Sequence, residues 1–478
     1  MVRGGLYGRR IRALRHRCGL SQAAFAERLG ISTSYLNLLE NDRRALTTDL
    51  LLRLARTFEL DLHAFAGDDT AQLSADLVEL FGDPLFEEHP LTRREILEFA
   101  SNAPDIARAV VRMHHALLQA RASADSLAER LVDHQDVAAM DRVSLSSEQV
   151  TEFLERHRNY FPELETAAEA LWRDAALEPE ELGSGLARHL ARAHGVRVRI
   201  LTVAQMRGAV RRFDAAAGEL QLSEVLRRGS RHFQLAIQVA LLRCPALLER
   251  LADDPLLTSD ESRALCRMAL ASYFAAAVLM PYTEFLRAAE ELRYDVELLG
   301  HRFRVSFEQT CHRLTTLRRP GAEGVEFYMV RVDMAGNISK KLGAAGIRFP
   351  RFSGLCALWN VHAAFLQPGR VRVQLSRFPD GRAVFAVART VQRHAGGYHA
   401  PQVLYTVGIG CSVSDARRLV YADGVDLDSE RAAVPVGVTC RLCERTACQA
   451  RAFPALDRPL RIDENVRGIS FFAPVSGG

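Results

Sequence analysis

Gly19-Leu20-Ser21-Gln22-Ala23-Ala24-Phe25-Ala26-Glu27-Arg28-Leu29-Gly30-Ile31-Ser32-Thr33-Ser34-Tyr35-Leu36-Asn37-Leu38-Leu39-Glu40-Asn41 is the stretch on which the reading of this chain turns. Ser21 precedes an apolar-periodic run and suits a helix N-cap. Gly30 follows that run at a position where helices end in a left-handed residue. Ser32 caps a second helix that runs through Tyr35 to Leu39. Upstream, Leu6, Ile11 and Leu14 alternate with Arg and predict a helix over 6–17, broken at Gly19. Downstream, Leu50 to Phe58 makes another. Two short helices around a Gly-containing turn are the parts of a helix-turn-helix. The second helix then enters the major groove. Ser32, Thr33, Ser34, Tyr35 and Asn37 are short or polar enough to meet base edges and phosphates. Gln22 sits where the first helix meets the DNA backbone, and Arg43 and Arg44 suit phosphates.

Charge agrees with that reading. Residues 1–60 hold eleven Arg and five acids, a balance of +6, while the whole chain is only +4. The remaining 418 residues therefore sum to −2, and a basic head on a slightly acidic body implies a polyanion partner. The spacing Gly-Leu-Ser-Gln-x3-Ala-x3-Gly-Ile-Ser-x-Ser-Tyr-Leu-x3-Glu-Asn resembles the XRE (Cro/repressor-type) DNA-binding domain almost position by position. Residues 1–67 are assigned to it.

The full chain has 478 residues, 48% hydrophobic and 25% charged. That size predicts two to four domains with ample core and excludes disorder as the overall state. No membrane-spanning helix is expected. The opening Met1–Val2–Arg3–Gly4–Gly5 lacks an apolar h-region, so no secretory signal is expected and a cytoplasmic protein is. Nine cysteines in so long a chain do not make a disulfide scaffold. Asp68–Asp69 and Gly82–Asp83–Pro84 mark a boundary region. Beyond Pro104, Ile106, Val110, Met113, Leu117, Ala120, Ala124, Leu127 and Leu131 alternate steps of four and three, a heptad seam. It reads either as packing on its own chain or as a homodimer contact, the latter suiting a protein that binds two half-sites. Residues 68–149 form this helical linker and dimerisation segment.

Residues 150–319 read as mostly helical. Val196 to Ile200 alternates as a strand, Phe213–Asp214 and Gly218 suggest a turn, and Glu219–Leu222 a second strand. A long helix comes next over Arg231–Leu242, and Tyr273–Pro281 ends a later one. The order resembles the ImmA/IrrE-type metallopeptidase domain, whose helix carries His-Glu-x-x-His to hold zinc and supply the base. Here Ile237, Gln238 and Leu241 stand at those positions, so neither metal ligand nor base remains and no peptidase, hence no enzyme, is expected. Lone His232 is read as structural. The vacated cleft would suit a small acyl group on a phosphorylated carrier.

Arg318-Arg319-Pro320-Gly321 reads as a hinge into residues 320–478. There the period changes to strands over 325–332, 371–375, 383–390 and 403–409, with Asp380–Gly381 as a hairpin turn. The domain is expected to be α+β with a GAF-like sheet. Cys440-x2-Cys443-x4-Cys448 places three thiols within nine residues, a metal-site spacing. A fourth ligand must come from Cys411 or Cys356. Arg441, Arg445 and Arg451 would stabilise thiolates. Spacing alone leaves zinc and an iron–sulfur cluster open. Cys18, Cys244, Cys266 and Cys311 read as buried small hydrophobes.

Several long motifs point to one family. They are Met280-Pro281-Tyr282, Arg293 to Leu299, Val305 to Leu317, Gly336-Asn337-Ile338-Ser339-Lys340, Leu358 to His362 and Cys440 to Arg445. With the XRE head they closely resemble the short-chain fatty-acyl-CoA regulator family of bacterial transcription factors. The resemblance covers essentially the whole chain and departs at Ala357, where a Pro is expected after the cysteine. It implies a cytoplasmic, operator-binding regulator that senses propionyl-CoA or a similar acyl-CoA and carries a [4Fe–4S] cluster, with structural zinc as the alternative. Tyr160 and Tyr282 are candidates to line the acyl pocket. Arg302, Arg304, Lys340 and Lys341 are candidates for the CoA phosphates. A redox- or iron-responsive regulator without an acyl-CoA ligand is the competing reading.

Overall fold

A computed structural model describes residues 11–12, 14–15, 18, 20–41, 43–44, 47–58, 68–83, 86, 91–130, 138–344, 347, 349, 354–393, 396–440, 443–445, 448–453 and 469. The chain divides into two compact units, 1–117 and 118–478.

In the first unit, α1 (Gln22–Leu29), α2 (Thr33–Glu40) and α3 (Thr48–Thr57) form the head. Both expected caps are present. The Ser21 hydroxyl accepts from Ala24 N, the Ser32 hydroxyl accepts from Tyr35 N, and Gly30 closes α1 with φ +66°. The apolar stripes converge on one core of Phe25, Leu29, Leu36, Leu39, Leu50 and Leu54, joined by Ile11 and Leu14. The remainder of the helix read over 6–17 lies outside the described residues. Next come α4 (Asp68–Phe81), α5 (Arg93–Asn102) and α6 (Pro104–Arg130). Pro104 starts α6, where its missing N–H costs nothing. Ala107 and Val111 of α6 bury against Leu73, Leu77, Leu80 and Ile96. The heptad residues stand on a different face. Ile106 is 61% and Met113 68% exposed, Leu117 is also exposed, and Val110 packs partly on the core. The side chains of Ala120, Ala124 and Leu127, and Leu131 entirely, lie outside the described residues.

The second unit starts with helices α7 (Ala138–Arg156), α8 (Pro162–Asp174) and α9 (Leu182–His194). A three-stranded sheet comes after them in the order β1-β3-β2, formed by Arg197–Leu201 (β1), Arg211–Asp214 (β2) and Glu219–Ser223 (β3). Phe213 and Asp214, expected in a turn, lie in β2, which pairs antiparallel with β3. Their alternation is too short to register as a strand without its partner. Then come α10 (Arg228–Arg243), α11 (Pro245–Ala252), α12 (Asp260–Leu279), α13 (Tyr282–Glu291), α14 (Val296–Phe303) and α15 (Phe307–Leu314). Among the described residues only α12 is long and apolar enough to cross a membrane, and most of it is buried in the protein core.

The expected hinge at Arg318–Gly321 is instead a tight hairpin of β4 (Arg318–Arg319) and β5 (Ala322–Glu323). Arg319 N donates to the Tyr282 hydroxyl, which itself donates to Ala322 O, so the turn is tied to α13. Beyond it lie Tyr328–Asp333 (β6), Ile338–Leu342 (β7), Arg372–Arg377 (β8), Ala383–Arg393 (β9), Val403–Ser412 (β10) and Val434–Pro435 (β11). They make one sheet in the order β11-β8-β9-β10-β6-β7, antiparallel except for the β11–β8 pair. Strand alternation gives it two faces. Met329, Val387, Val407 and Ile409 pack against α13–α15, while Tyr328, Val330, Val332 and Ala388 pack against Trp359 and Cys356.

Candidate functional site

The recognition elements of the head are braced by a buried ion pair. Arg15 Nε donates to Glu40 Oε1 at 2.7 Å, and Gln22 Nε2 donates to Glu40 Oε2 at 2.7 Å. Gln22, expected against the DNA backbone, is thus committed to α2. Thr33, Ser34, Asn37, Arg43 and Arg44 are exposed, Tyr35 is half-buried, and Arg44 lies over the Tyr35 ring. Ser32 is exposed, but its hydroxyl is used as a cap. The Arg15–Glu40 brace was not read from the sequence, because the two residues stand 25 positions apart.

Burial alone would raise the Glu40 pKa, but hydrogen bonds from Arg15 and Gln22 outweigh it and hold the carboxyl below its usual range. A depressed carboxylate stabilises the fold fully above its unfolded pKa of about 4.3. That stability is lost as pH falls through the lower folded value. Helical circular dichroism during thermal unfolding should therefore show acid sensitivity of the head that Glu40→Gln reduces. Equal acid sensitivity of wild type and variant counts against the brace.

In the second unit, α15 and the sheet bring together a cluster of cationic side chains. Arg331 of β6 and Lys340 of β7 are cross-strand neighbours, and Arg393 ends β9. Glu308, in the first turn of α15, meets Arg331 at 2.6 Å and Arg393 at 3.6 Å. The Tyr405 ring faces both guanidiniums, at 5.0 and 5.5 Å. Among the described residues Lys340 has no ion-pair or hydrogen-bond partner, although protein packs around it and solvent still reaches it. Burial lowers its pKa to about 8, opposed by Glu308 and reinforced by Arg331 and Arg393. His312, one turn after Glu308, has a buried Nε2 without a hydrogen-bond partner among the described residues. Burial first, then Lys340 and Arg313, hold it well below the ordinary imidazole range.

The other candidate ligand residues do not join this group. Lys341 points to the opposite side of β7 and pairs with Glu148 at 2.8 Å. Arg302 is exposed and pairs with Glu291. Arg304, exposed, reaches the carbonyl of Glu180. Tyr282 is buried with its hydroxyl doubly engaged in the hairpin, and Arg319 lies 4.3 Å over its ring. Tyr160 contacts Tyr282 edge-on and accepts from Arg319 Nε.

The cysteines resolve spatially. Cys356, Cys440, Cys443 and Cys448 border one open pocket, together with Arg445 and Arg451. Cys411 lies inside β10, fully buried in the opposite face of the sheet with Phe385 and Ile409. It therefore stands away from the other four thiols. Strand parity decides this, because Cys411 follows Ile409 by two residues and so shares its face. Burial raises the Cys356 thiol pKa. Gly437 permits the close approach, since a Cβ there would stand 2.7 Å from Cys443 Sγ. Arg451, nearly buried, donates to the carbonyls of Cys440, Cys443, Arg445 and Phe453. Of the single cysteines, Cys266 and Cys311 are buried as expected and Cys244 partly so, but Cys18 is exposed.

At the peptidase-like positions Ile237 and Gln238 are buried and Leu241 packs on the core. Gln238 Oε1 accepts from Arg211 Nη1 at 2.7 Å. A buried amide bonded to a guanidinium and two aliphatic side chains offer neither zinc ligand nor base. His232 is buried against Gly183, as a packing residue would be.

A helix-turn-helix head followed by a disarmed peptidase-like domain and a cysteine-bearing sheet defines a DNA-binding transcriptional regulator. Residues 6–66 match a family model described as helix-turn-helix domain, 191–315 the IrrE N-terminal-like domain, and 316–472 the short-chain fatty acyl coenzyme A regulator, C-terminal. The chain is 40% identical over 465 residues to the HTH-type transcriptional regulator RamB of Mycobacterium tuberculosis, covering 97% of each. It is 40% identical over 460 residues to the HTH-type transcriptional regulator PrpR of the same species, covering 96% of this chain and 93% of that one. It is 38% identical over 465 residues to the propionyl-CoA carboxylase regulator of Cereibacter sphaeroides, covering 97% of each. A solved Mycobacterium tuberculosis transcriptional regulator superposes with TM-score 0.65 at 41% identity, covering 68% of this chain and 98% of that one. The chain belongs to the short-chain fatty acyl coenzyme A regulator family.

Proposed function

We propose that this regulator acts in the cytoplasm as a homodimer, without enzymatic activity, and that its DNA affinity responds to a short-chain acyl-CoA, propionyl-CoA first. The observation that carries the effector reading is the cationic cluster of Lys340 beside Arg331, with Arg393, inside the segment matched by the acyl coenzyme A regulator model. CoA carries phosphates, and fixed guanidiniums with an ammonium are what phosphates bind. Tyr160, Tyr282, Arg302, Arg304 and Lys341 are engaged elsewhere and are no part of this phosphate site. The exposed heptad positions Ile106, Met113 and Leu117 support the dimer, as their own unit leaves them uncovered. The effector shifts operator affinity only through a difference in its affinity for the two head arrangements. The six-stranded sheet serves as the GAF-like sensor plate.

We further propose that Cys356, Cys440, Cys443 and Cys448 hold a [4Fe–4S] cluster, with zinc as the alternative. Four soft thiolates fit either group. Zinc would draw its sulfurs to about 2.3 Å from one point. Cys356, Cys440, Cys443 and Cys448 line one pocket together with Arg445 and Arg451. When bound, the iron–sulfur cluster would supply one-electron redox chemistry or a structural staple. Arg451 and Gly437 shape the loop around it.

The test is thermal unfolding of anaerobically purified protein with acetyl-, propionyl-, succinyl- or long-chain acyl-CoA, against free CoA. A specific ligand at 100-fold over its dissociation constant adds about 2.7 kcal/mol. Stabilisation by a short-chain acyl-CoA beyond free CoA is expected. No shift from any of them, in metal-loaded protein, overturns the acyl-CoA reading. The four-thiol pocket then favours an iron- or redox-responsive regulator.

A further inference from the structure

The cluster between α15 and the sheet holds three cations around a single carboxylate. Among the described residues Glu308 is the only acid that meets both Arg331 and Arg393. Arg331 is pinned from its other edge, since its Nε donates to Ser339 Oγ at 2.9 Å. Tyr405 holds the two guanidinium groups against its ring, so their donors are oriented before any ligand arrives. Lys340 stands on the adjoining strand with its ammonium unpaired among the described residues. The unpartnered Nε2 of His312 follows Glu308 by four residues on the same face of α15.

A site arranged this way is filled by one anion of its own chain and keeps an excess of positive charge. We propose that Glu308 is a built-in counter-ion standing where a phosphate of the effector docks, and that the ligand phosphate displaces it from Arg331 and Arg393 and recruits Lys340. This rests on the effector reading of the cluster given above. A phosphate carries up to about two negative charges and three acceptor oxygens. It can satisfy three cations at once, which one carboxylate does not. Displacement frees the first turn of α15 from β6 and β9. The far side of the same helix stays anchored, because Arg313 is locked to Glu165 in the core. The change is therefore a local release of one helix end, and it makes the ligand-free and ligand-bound states different in α15.

The experiment measures binding of free CoA and of inorganic sulfate to the full chain by calorimetry, at fixed low salt. Removing the competing carboxylate in Glu308→Gln should tighten CoA binding about tenfold or more, the worth of one charge-assisted hydrogen bond. Sulfate should raise the melting temperature of Glu308→Gln more than that of the wild type, by refilling the vacated cations. Equal or weaker CoA binding by Glu308→Gln overturns the displacement and leaves the effector site standing. Wild-type binding that Lys340→Met does not weaken, or no wild-type binding, overturns the site and this inference together. If Glu308→Gln fails to fold, Glu308→Asp shortens the reach to Arg331 while keeping the charge. It should also bind CoA more tightly, and unchanged or weaker binding is the overturning result.

Discussion

Arg313→Met is expected to destabilise the second unit by about 3–5 kcal/mol, the cost of leaving a buried charge without its partner. Arg313 and Glu165 are both almost completely inaccessible and meet at 2.6 and 3.0 Å in a two-pronged pair. The guanidinium also donates to Met280 O and to the Thr316 hydroxyl, and the Tyr273 hydroxyl donates to Glu165 at 2.6 Å. Methionine fills most of the volume but supplies no proton or charge, so buried Glu165 loses its counter-ion and keeps only the Tyr273 hydroxyl. The double variant Arg313→Met with Glu165→Leu removes both charges and should recover more than half of the loss, since replacing a whole buried pair is far cheaper than breaking it. Urea unfolding followed by tryptophan fluorescence reads the effect, as Trp172 lies on α8, the helix that carries Glu165, and donates to Val278 O. A loss below about 1 kcal/mol would mean that water reaches the pair, as at an exposed ion pair.

Cys356→Ser and Cys443→Ser should each remove most of the bound iron, or zinc, from protein purified without oxygen. Cys411→Ser should retain the wild-type content, at the cost of burying a hydroxyl in an apolar core. The contrast comes from the sheet, which puts Cys356 at the pocket and turns Cys411 to the other face. Metal analysis and the visible absorption band of the anaerobic proteins separate the outcomes. Equal iron loss in all three would mean that the reading of strand parity fails for ligation. Full iron in Cys443→Ser would remove the four-thiol assignment itself.

Much of the head was legible because its signals are local. Ser21, Gly30 and Ser32 act within one turn of their own helices, and the apolar spacing of Phe25, Leu29, Leu36 and Leu39 repeats within a few residues. The missing zinc ligands at Ile237, Gln238 and Leu241 were equally plain, since one helical turn sets their spacing. Strand existence was readable from alternation, but β2 was lost in a turn and β7 was seen only as part of a motif. The expected hinge at Arg318–Gly321 failed for a related reason. Pro-Gly marks a turn, yet whether that turn closes a hairpin depends on Tyr282 reaching it from another helix.

By itself the sequence determined the helix-turn-helix, the disarmed peptidase-like helix, the cysteine triplet and, through long specific motifs, the family. Each is written in neighbours no more than a few turns apart, where backbone geometry alone relates one residue to the next. Tertiary structure alone decided which distant groups share a site. It chose Cys356 over Cys411, committed Gln22 to Glu40, buried Tyr282, and separated Lys340 from Lys341 by the pleat of one strand. These outcomes depend on which faces of sheet and helix meet, and that is set by burying apolar surface summed over the whole core rather than by any local spacing.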